Sequence, residues 1–142
     1  MKNKILSYAA MALFVIGCNS SPYNNENHFI PNKGQNIDSL KEMVKEDTLN
    51  KAVFSVKIIA DSMGREGVYY VNSVFGENVA SSMFTMPKGG EKYKPILKKK
   101  SEMYTYIVGF HVPNDTTFYE YYEISANKGS ILMRYVKSYT FQ

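Results

Sequence analysis

From residue 51 to the C-terminal end, apolar and polar side chains alternate with a period of two, and short clusters of Gly, Pro, Asn and Asp interrupt the alternation. Strands buried on one face and joined by tight turns produce this pattern. Over 51–61, Ala52, Phe54, Val56, Ile58 and Ala60 fall on one side, with Lys51, Ser55, Lys57 and Asp61 on the other. Ser62-Met63-Gly64-Arg65-Glu66-Gly67 supplies a turn in which two glycines accept positive φ. A second strand is predicted over 68–75 and, after Gly76-Glu77-Asn78, a third over 79–86 that Pro87 stops. Alternation resumes over 102–112, with Tyr104, Tyr106, Val108, Phe110 and Val112 on one face. Turns at Pro113-Asn114-Asp115 and Asn127-Lys128-Gly129 lead into strands over 116–125 and 130–141, so the last three strands should form an antiparallel meander.

Upstream of residue 51 the period differs. Ile37, Leu40 and Val44, with Met43, have the spacing of an apolar helical stripe. Ser39-Leu40-Lys41-Glu42 has the Ser-x-x-Glu form of a capping box, with Asp38 as an alternative cap, and the helix should end near 47–50. One N-terminal helix followed by about six strands predicts an α+β fold, with the helix packed on a single antiparallel sheet. A β-sandwich or small open barrel with the helix at one end is the competing architecture, and alternation alone does not separate the two.

The first seventeen residues have a different character. Lys2 and Lys4 precede an apolar run from Ile5 to Ile16 broken only by Ser7 and Tyr8, the layout of a secretory signal peptide. The run is about a dozen residues, whereas a helix crossing the hydrocarbon needs ~20. Val15-Ile16-Gly17-Cys18 resembles the lipobox of bacterial lipoproteins. That resemblance implies cleavage after Gly17, a diacylglycerol thioether on Cys18 and, in Gram-negative hosts, a further acyl chain such as palmitate. Two or three chains make attachment stable where one is marginal, since each buried methylene contributes ~0.8 kcal/mol. Cys18 is the single cysteine, so no intramolecular disulfide can form in the exported chain. No aspartate follows Cys18, which resembles lipoproteins passed to the outer membrane; a periplasm-facing position is expected, with the cell surface or a Gram-positive membrane as alternatives. Residues 18–36, rich in Asn, Ser and Pro, read as a flexible tether, leaving 37–142 as one folded domain.

Loss of residues 1–17 removes two lysines and no acids, so the formal charge falls from +4 to +2. Within that nearly neutral chain, Lys88, Lys92, Lys94, Lys98, Lys99 and Lys100 crowd into one segment with Glu91 as the only acid. A basic cluster steers association with acidic partners. Tyr93 and Pro95 within it add apolar contact area. Twelve tyrosines and no tryptophan form the second bias. Tyr121 and Tyr122, as strand neighbours, should present rings on both faces of the sheet, and tyrosine suits protein contacts because it buries area and keeps a polar tip. Lys92, Tyr93, Lys94, Lys98, Lys99, Lys100, Tyr119 and Tyr121 are therefore the candidate partner-binding residues.

Motifs for catalysis are absent from the sequence: it has no nucleophilic serine motif, metal-ligand spacing or phosphate-binding glycine loop. His111 lies on the strand face opposite the aromatic row, with no partner near it in sequence. Glu120 and Glu123 have opposite strand parity and should face opposite ways. No enzyme activity, cofactor, metal or nucleic-acid partner is expected. The expectation is a lipid-anchored binding module that holds another envelope protein, as an accessory of a trans-envelope assembly. Alternatives are a periplasmic immunity or inhibitor lipoprotein, and a small-ligand carrier with Tyr104, Tyr106, Val108 and Phe110 lining a cavity.

Overall fold

A computed structural model describes residues 28–47 and 49–142. The expected signal peptide, the lipobox-like segment with Gly17 and Cys18, and the first part of the expected tether lie outside the described residues. Eight strands follow one another: β1 (Asn36–Met43), β2 (Val53–Ala60), β3 (Val68–Phe75), β4 (Asn78–Thr85), β5 (Ile96–Lys99), β6 (Thr105–His111), β7 (Phe118–Asn127) and β8 (Ser130–Tyr135). They make two antiparallel four-stranded sheets, ordered β1-β2-β3-β4 and β5-β6-β7-β8. The α+β expectation of one helix on one sheet of about six strands is overturned: the described residues are all-β.

The correction has two physical sources. The segment predicted helical is strand β1. Its register slips between Asn36 and Asp38, so Ile37 is an extra residue and the apolar spacing mimics a helical stripe. Beyond the slip, Asp38, Leu40 and Glu42 lie opposite Ile58, Val56 and Phe54 and share their inward face. Two acids thus stand on the core side of an edge strand, and each finds a partner on the other sheet. Asp38 accepts a hydrogen bond from the Leu97 backbone N–H at 2.8 Å, and Glu42 pairs with Lys99 at 2.5 Å. Long-range pairing of this kind overrides local helix propensity. The second source is β5, only four residues long within the lysine-rich segment, where too few alternations exist to register.

The sheets pack face to face through their aromatic rows. Phe54 of β2 stacks on Tyr106 of β6 with centroids 4.9 Å apart, and Phe84 of β4 stacks on Tyr122 of β7 at 5.3 Å. Val56, Ile58, Val71, Val108 and Ile124 fill the space between with no exposed surface. At the β4–β8 side, the Tyr135 hydroxyl accepts from the Thr85 N–H and the Tyr121 hydroxyl donates to the Thr85 carbonyl, at 3.1 and 2.7 Å.

A β-bulge in β7 rearranges its side chains. Tyr122 pairs with Val108 and Glu120 with Gly109, leaving Tyr121 as the extra residue. Tyr121 and Tyr122 are consequently both buried, rather than on opposite faces. The same bulge brings Glu120 and Glu123 to one side, where Lys100 reaches them at 3.8 and 3.5 Å. Gly109 sits opposite the bulge because a Cβ there would collide with the Phe118 ring and the Tyr119 carbonyl.

Candidate functional site

Because every strand reverses direction, the loops segregate to the two ends of the sandwich. One end collects the β1–β2 loop and the β3–β4, β5–β6 and β7–β8 turns. The other collects the incoming N-terminal segment, the β2–β3, β4–β5 and β6–β7 loops, and the chain after β8.

The second end is filled. After β8 the Val136 N–H donates to Tyr121 O, the Tyr139 hydroxyl donates to Glu120 O, and the Phe141 N–H donates to Lys88 O. This course lays Tyr139 and Phe141 against Phe110, Tyr119 and Tyr93. Phe29 joins the same end through its N–H to Lys92 O, at 2.7 Å. A dense aromatic cluster with a polar margin closes it. In that margin Asp115 accepts from the Tyr119 hydroxyl at 2.6 Å and from Thr117 N–H at 2.8 Å. These bonds hold the Asp115 carboxyl down at about 2.

The first end is open. Between the sheets lies a wide cleft of about 1490 Å³. Val44, Ala52, Phe75, Tyr104 and Ala126 supply apolar lining, and Glu46, Asp47, Glu77, Lys51 and Lys128 supply charges of both signs. Asn50, Asn78 and Asn127 add amide donors and acceptors. Tyr104 organises the cleft. Its φ is +50°, a conformation that a bulky side chain adopts only when its surroundings impose it. Here they do: the ring packs edge-on against Phe54 and Phe75, and the hydroxyl bridges the β1–β2 loop. That hydroxyl donates to Glu46 Oε2 at 2.5 Å and accepts from the Lys45 N–H at 2.7 Å. Burial and then the carboxylate raise the Tyr104 pKa, while the phenol's hydrogen bond lowers that of Glu46. Lys51 and Lys128 also take positive φ, so among the described residues three of the four non-glycine residues of that kind line this cleft.

The residues singled out from the sequence are dispersed. Lys92 faces Glu66 at 4.0 Å, and Lys94 lies 5.5 Å from the Phe29 ring. Lys98 covers the Phe118 ring at 3.9 Å, and Lys100 bridges Glu120 and Glu123. Lys99 closes the seam to Glu42. Tyr93 and Tyr119 come together, each stacked on Phe110 with centroids 5.6 Å apart. Tyr121 is buried edge-on against the same Phe110 ring, with its hydroxyl on Thr85 O. The lysines therefore act mostly on neighbours within the chain, as stems and ammonium groups laid over rings and acids. Lys98 and Glu123 flank Ile107, which stays buried on the outer side of the sheet beneath them.

His111 is exposed, its Nδ1 2.9 Å from Thr117 O. Tyr104, Tyr106, Val108 and Phe110 are core, packed against the facing sheet. Among the described residues no group of three or more His, Cys, Asp or Glu could hold a metal. Sequence reading missed Glu46 and Asp47, which it assigned to a fading helix, and Lys51, which it placed on the polar side of a strand. The available signal was the strict up-and-down order, which gathers alternate loops at one end. The cleft offers what a polypeptide segment needs: apolar contact, amide partners and charges of both signs. Comparison with family models, curated proteins and solved structures finds no match to this chain.

Proposed function

We propose that this chain is a lipid-anchored, non-enzymatic module of the bacterial envelope, which uses the end cleft to hold a segment of another envelope protein. The observation that carries the reading is the separation of the two ends. The segment that would lead back to Cys18 joins at the filled end, through Phe29 and Lys92. The cleft lies a strand's length away, ~26 Å for eight residues at ~3.3 Å each. Anchoring and capture thus occupy opposite ends, and neither obstructs the other. A lipid on Cys18 removes any need for a membrane-binding surface on the domain. The mixed lining of the cleft suits polar and apolar groups of a polypeptide together, as transient protein interfaces do. Of the row with which a carrier would line its cavity, Tyr104 borders the cleft while Tyr106, Val108 and Phe110 pack against the facing sheet, which favours a docked segment.

Two measurements test this. Cys18→Ala should release the protein from the membrane fraction into the soluble fraction; a variant that still sediments with membranes removes the anchor from the account. A photo-crosslinking residue in place of Glu77, at the cleft, should capture one recurrent envelope protein in intact cells. The same residue in place of Lys57, on an outer sheet face, should not. Equal capture from both positions, or none from Glu77, eliminates the cleft as the docking surface. An adduct with a secreted toxin would instead establish the immunity role.

A further inference from the structure

We infer that two copies of this chain pair through β4, joining their first sheets edge to edge about a two-fold axis at Ser81. The argument starts from the four edge strands. An exposed edge is a row of unpaired N–H and C=O groups, and proteins blunt it with charge, proline, bulges, shortness or a cover. Three edges here are blunted. β1 carries a register slip, Lys41, and two acids bonded to β5. β5 is four residues long with Lys98 and Lys99 in it, and β8 carries Arg134.

β4 has none of these devices. Its eight residues, Asn-Val-Ala-Ser-Ser-Met-Phe-Thr, contain no charge and no proline, and its register with β3 runs without a slip. The two-residue turn Gly76-Glu77 makes Phe75 and Asn78 a hydrogen-bonded pair. Pairing alternates along the ladder, so Ala80, Ser82 and Phe84 spend their backbone groups on β3, while those of Val79, Ser81, Met83 and Thr85 point outward. The structure already meets Thr85's outward groups, with the Tyr135 and Tyr121 hydroxyls. Among the described residues, those of Val79, Ser81 and Met83 face no strand, because β4 pairs there with β3 alone. On the outer sheet face the side chains of these residues are also open: Val79 is 73% exposed and Met83 47%.

This edge complements itself. Antiparallel pairing centred on Ser81 sets Ser81 opposite Ser81 and Val79 opposite the other copy's Met83. The two exposed apolar side chains of each copy then cover those of the other. Roughly six backbone hydrogen bonds form, two for each outward residue on one strand. No like charges meet. Arg65, whose Nη2 lies 3.9 Å from Met83 Sδ, stands at one end of the strand, and Glu77 at the other. Such a contact is isologous and closes as a dimer, so it does not propagate into fibres. The clefts lie at the two outer ends of the pair and remain open.

Disulfide trapping in membranes of cells producing the full chain tests the inference. Ser81→Cys places two thiols at the axis with Cα atoms about 5.5 Å apart, within the span of a disulfide. Copper-phenanthroline oxidation should give a reducible dimer. The unsubstituted chain and Lys57→Cys should give none. The double variant Val79→Cys/Met83→Cys should also crosslink between copies, and adding Ser81→Lys to it should abolish the adduct by setting two ammonium groups face to face. Absence of both dimers overturns the inference, as does equal crosslinking by Lys57→Cys. A Ser81→Cys adduct with a different protein overturns the second copy as occupant and gives the edge to that protein's strand.

Discussion

Phe110→Ala should lower the stability of the domain by about 3–5 kcal/mol, at the upper end of what truncating a core aromatic costs. Phe110 has no exposed surface, and five rings lie around it: Tyr93, Tyr119, Tyr121, Tyr139 and Phe141. The cost of such a deletion depends on how far the neighbours can collapse into the void. Here three of the five are held by their hydroxyls: Tyr119 on Asp115, Tyr121 on Thr85 O and Tyr139 on Glu120 O. Moving inward would break those bonds, so the void persists. A domain of this size has about 5–15 kcal/mol in total, and the loss should show as a lower urea midpoint with an unchanged m-value. A loss under ~1 kcal/mol would mean that the chain after β8 does not pack on Phe110 in solution.

The second large effect should come from alkali. Burial pushes the Tyr69 phenol up to about 12, helped by Glu66, and the Tyr121 phenol up to about 12, helped by Tyr135. Burial also raises Tyr106 and Tyr122. An unfolded tyrosine ionises near 10. Between pH 10 and 12 the folded chain therefore keeps protons that the unfolded chain releases. Stability is complete below pH 10 and is lost as pH rises toward 12. Several phenols act together, so the loss should be cooperative. Phenolate absorbance followed beside circular dichroism should show these four phenols ionising in one sharp step shared by both signals. Smooth titration of every tyrosine near 10, with unchanged dichroism, would show that the four rings are not buried.

Much of the strand content was legible because alternation over six to ten residues is a strong signal. β3 matches its predicted span at 68–75, and β2, β4, β6 and β7 match theirs within about three residues. β5 was missed because four residues hold too few alternations, and the strand predicted over 130–141 stops at Tyr135; the other errors come from pairing with residues distant in sequence. Nothing local marks Ser39-Leu40-Lys41-Glu42 as strand, since the partners that satisfy Asp38 and Glu42 are Leu97 and Lys99. Strand parity misplaced Glu120 and Tyr121 because a bulge depends on the facing strand, and its sequence trace was Gly109, where a Cβ would meet the Phe118 ring. The lysine cluster was legible as a cluster but not as a set of contacts, for the fold spreads its members over one seam, one outer face and one end. The cleft was illegible because its residues come from four loops that only the completed topology gathers.

All six strand pairings join strands consecutive in sequence, and none links the first sheet to the second. This order has a consequence during synthesis, which delivers the chain amino end first. The first four strands can complete their ladder while the last four are still to come. What they cannot do is cover Phe54, Val56, Ile58 and Phe84, whose neighbours Tyr106, Val108 and Tyr122 arrive later. For that interval the newcomer is a hydrogen-bonded sheet with a bare oily side, which closes only once β7 has emerged.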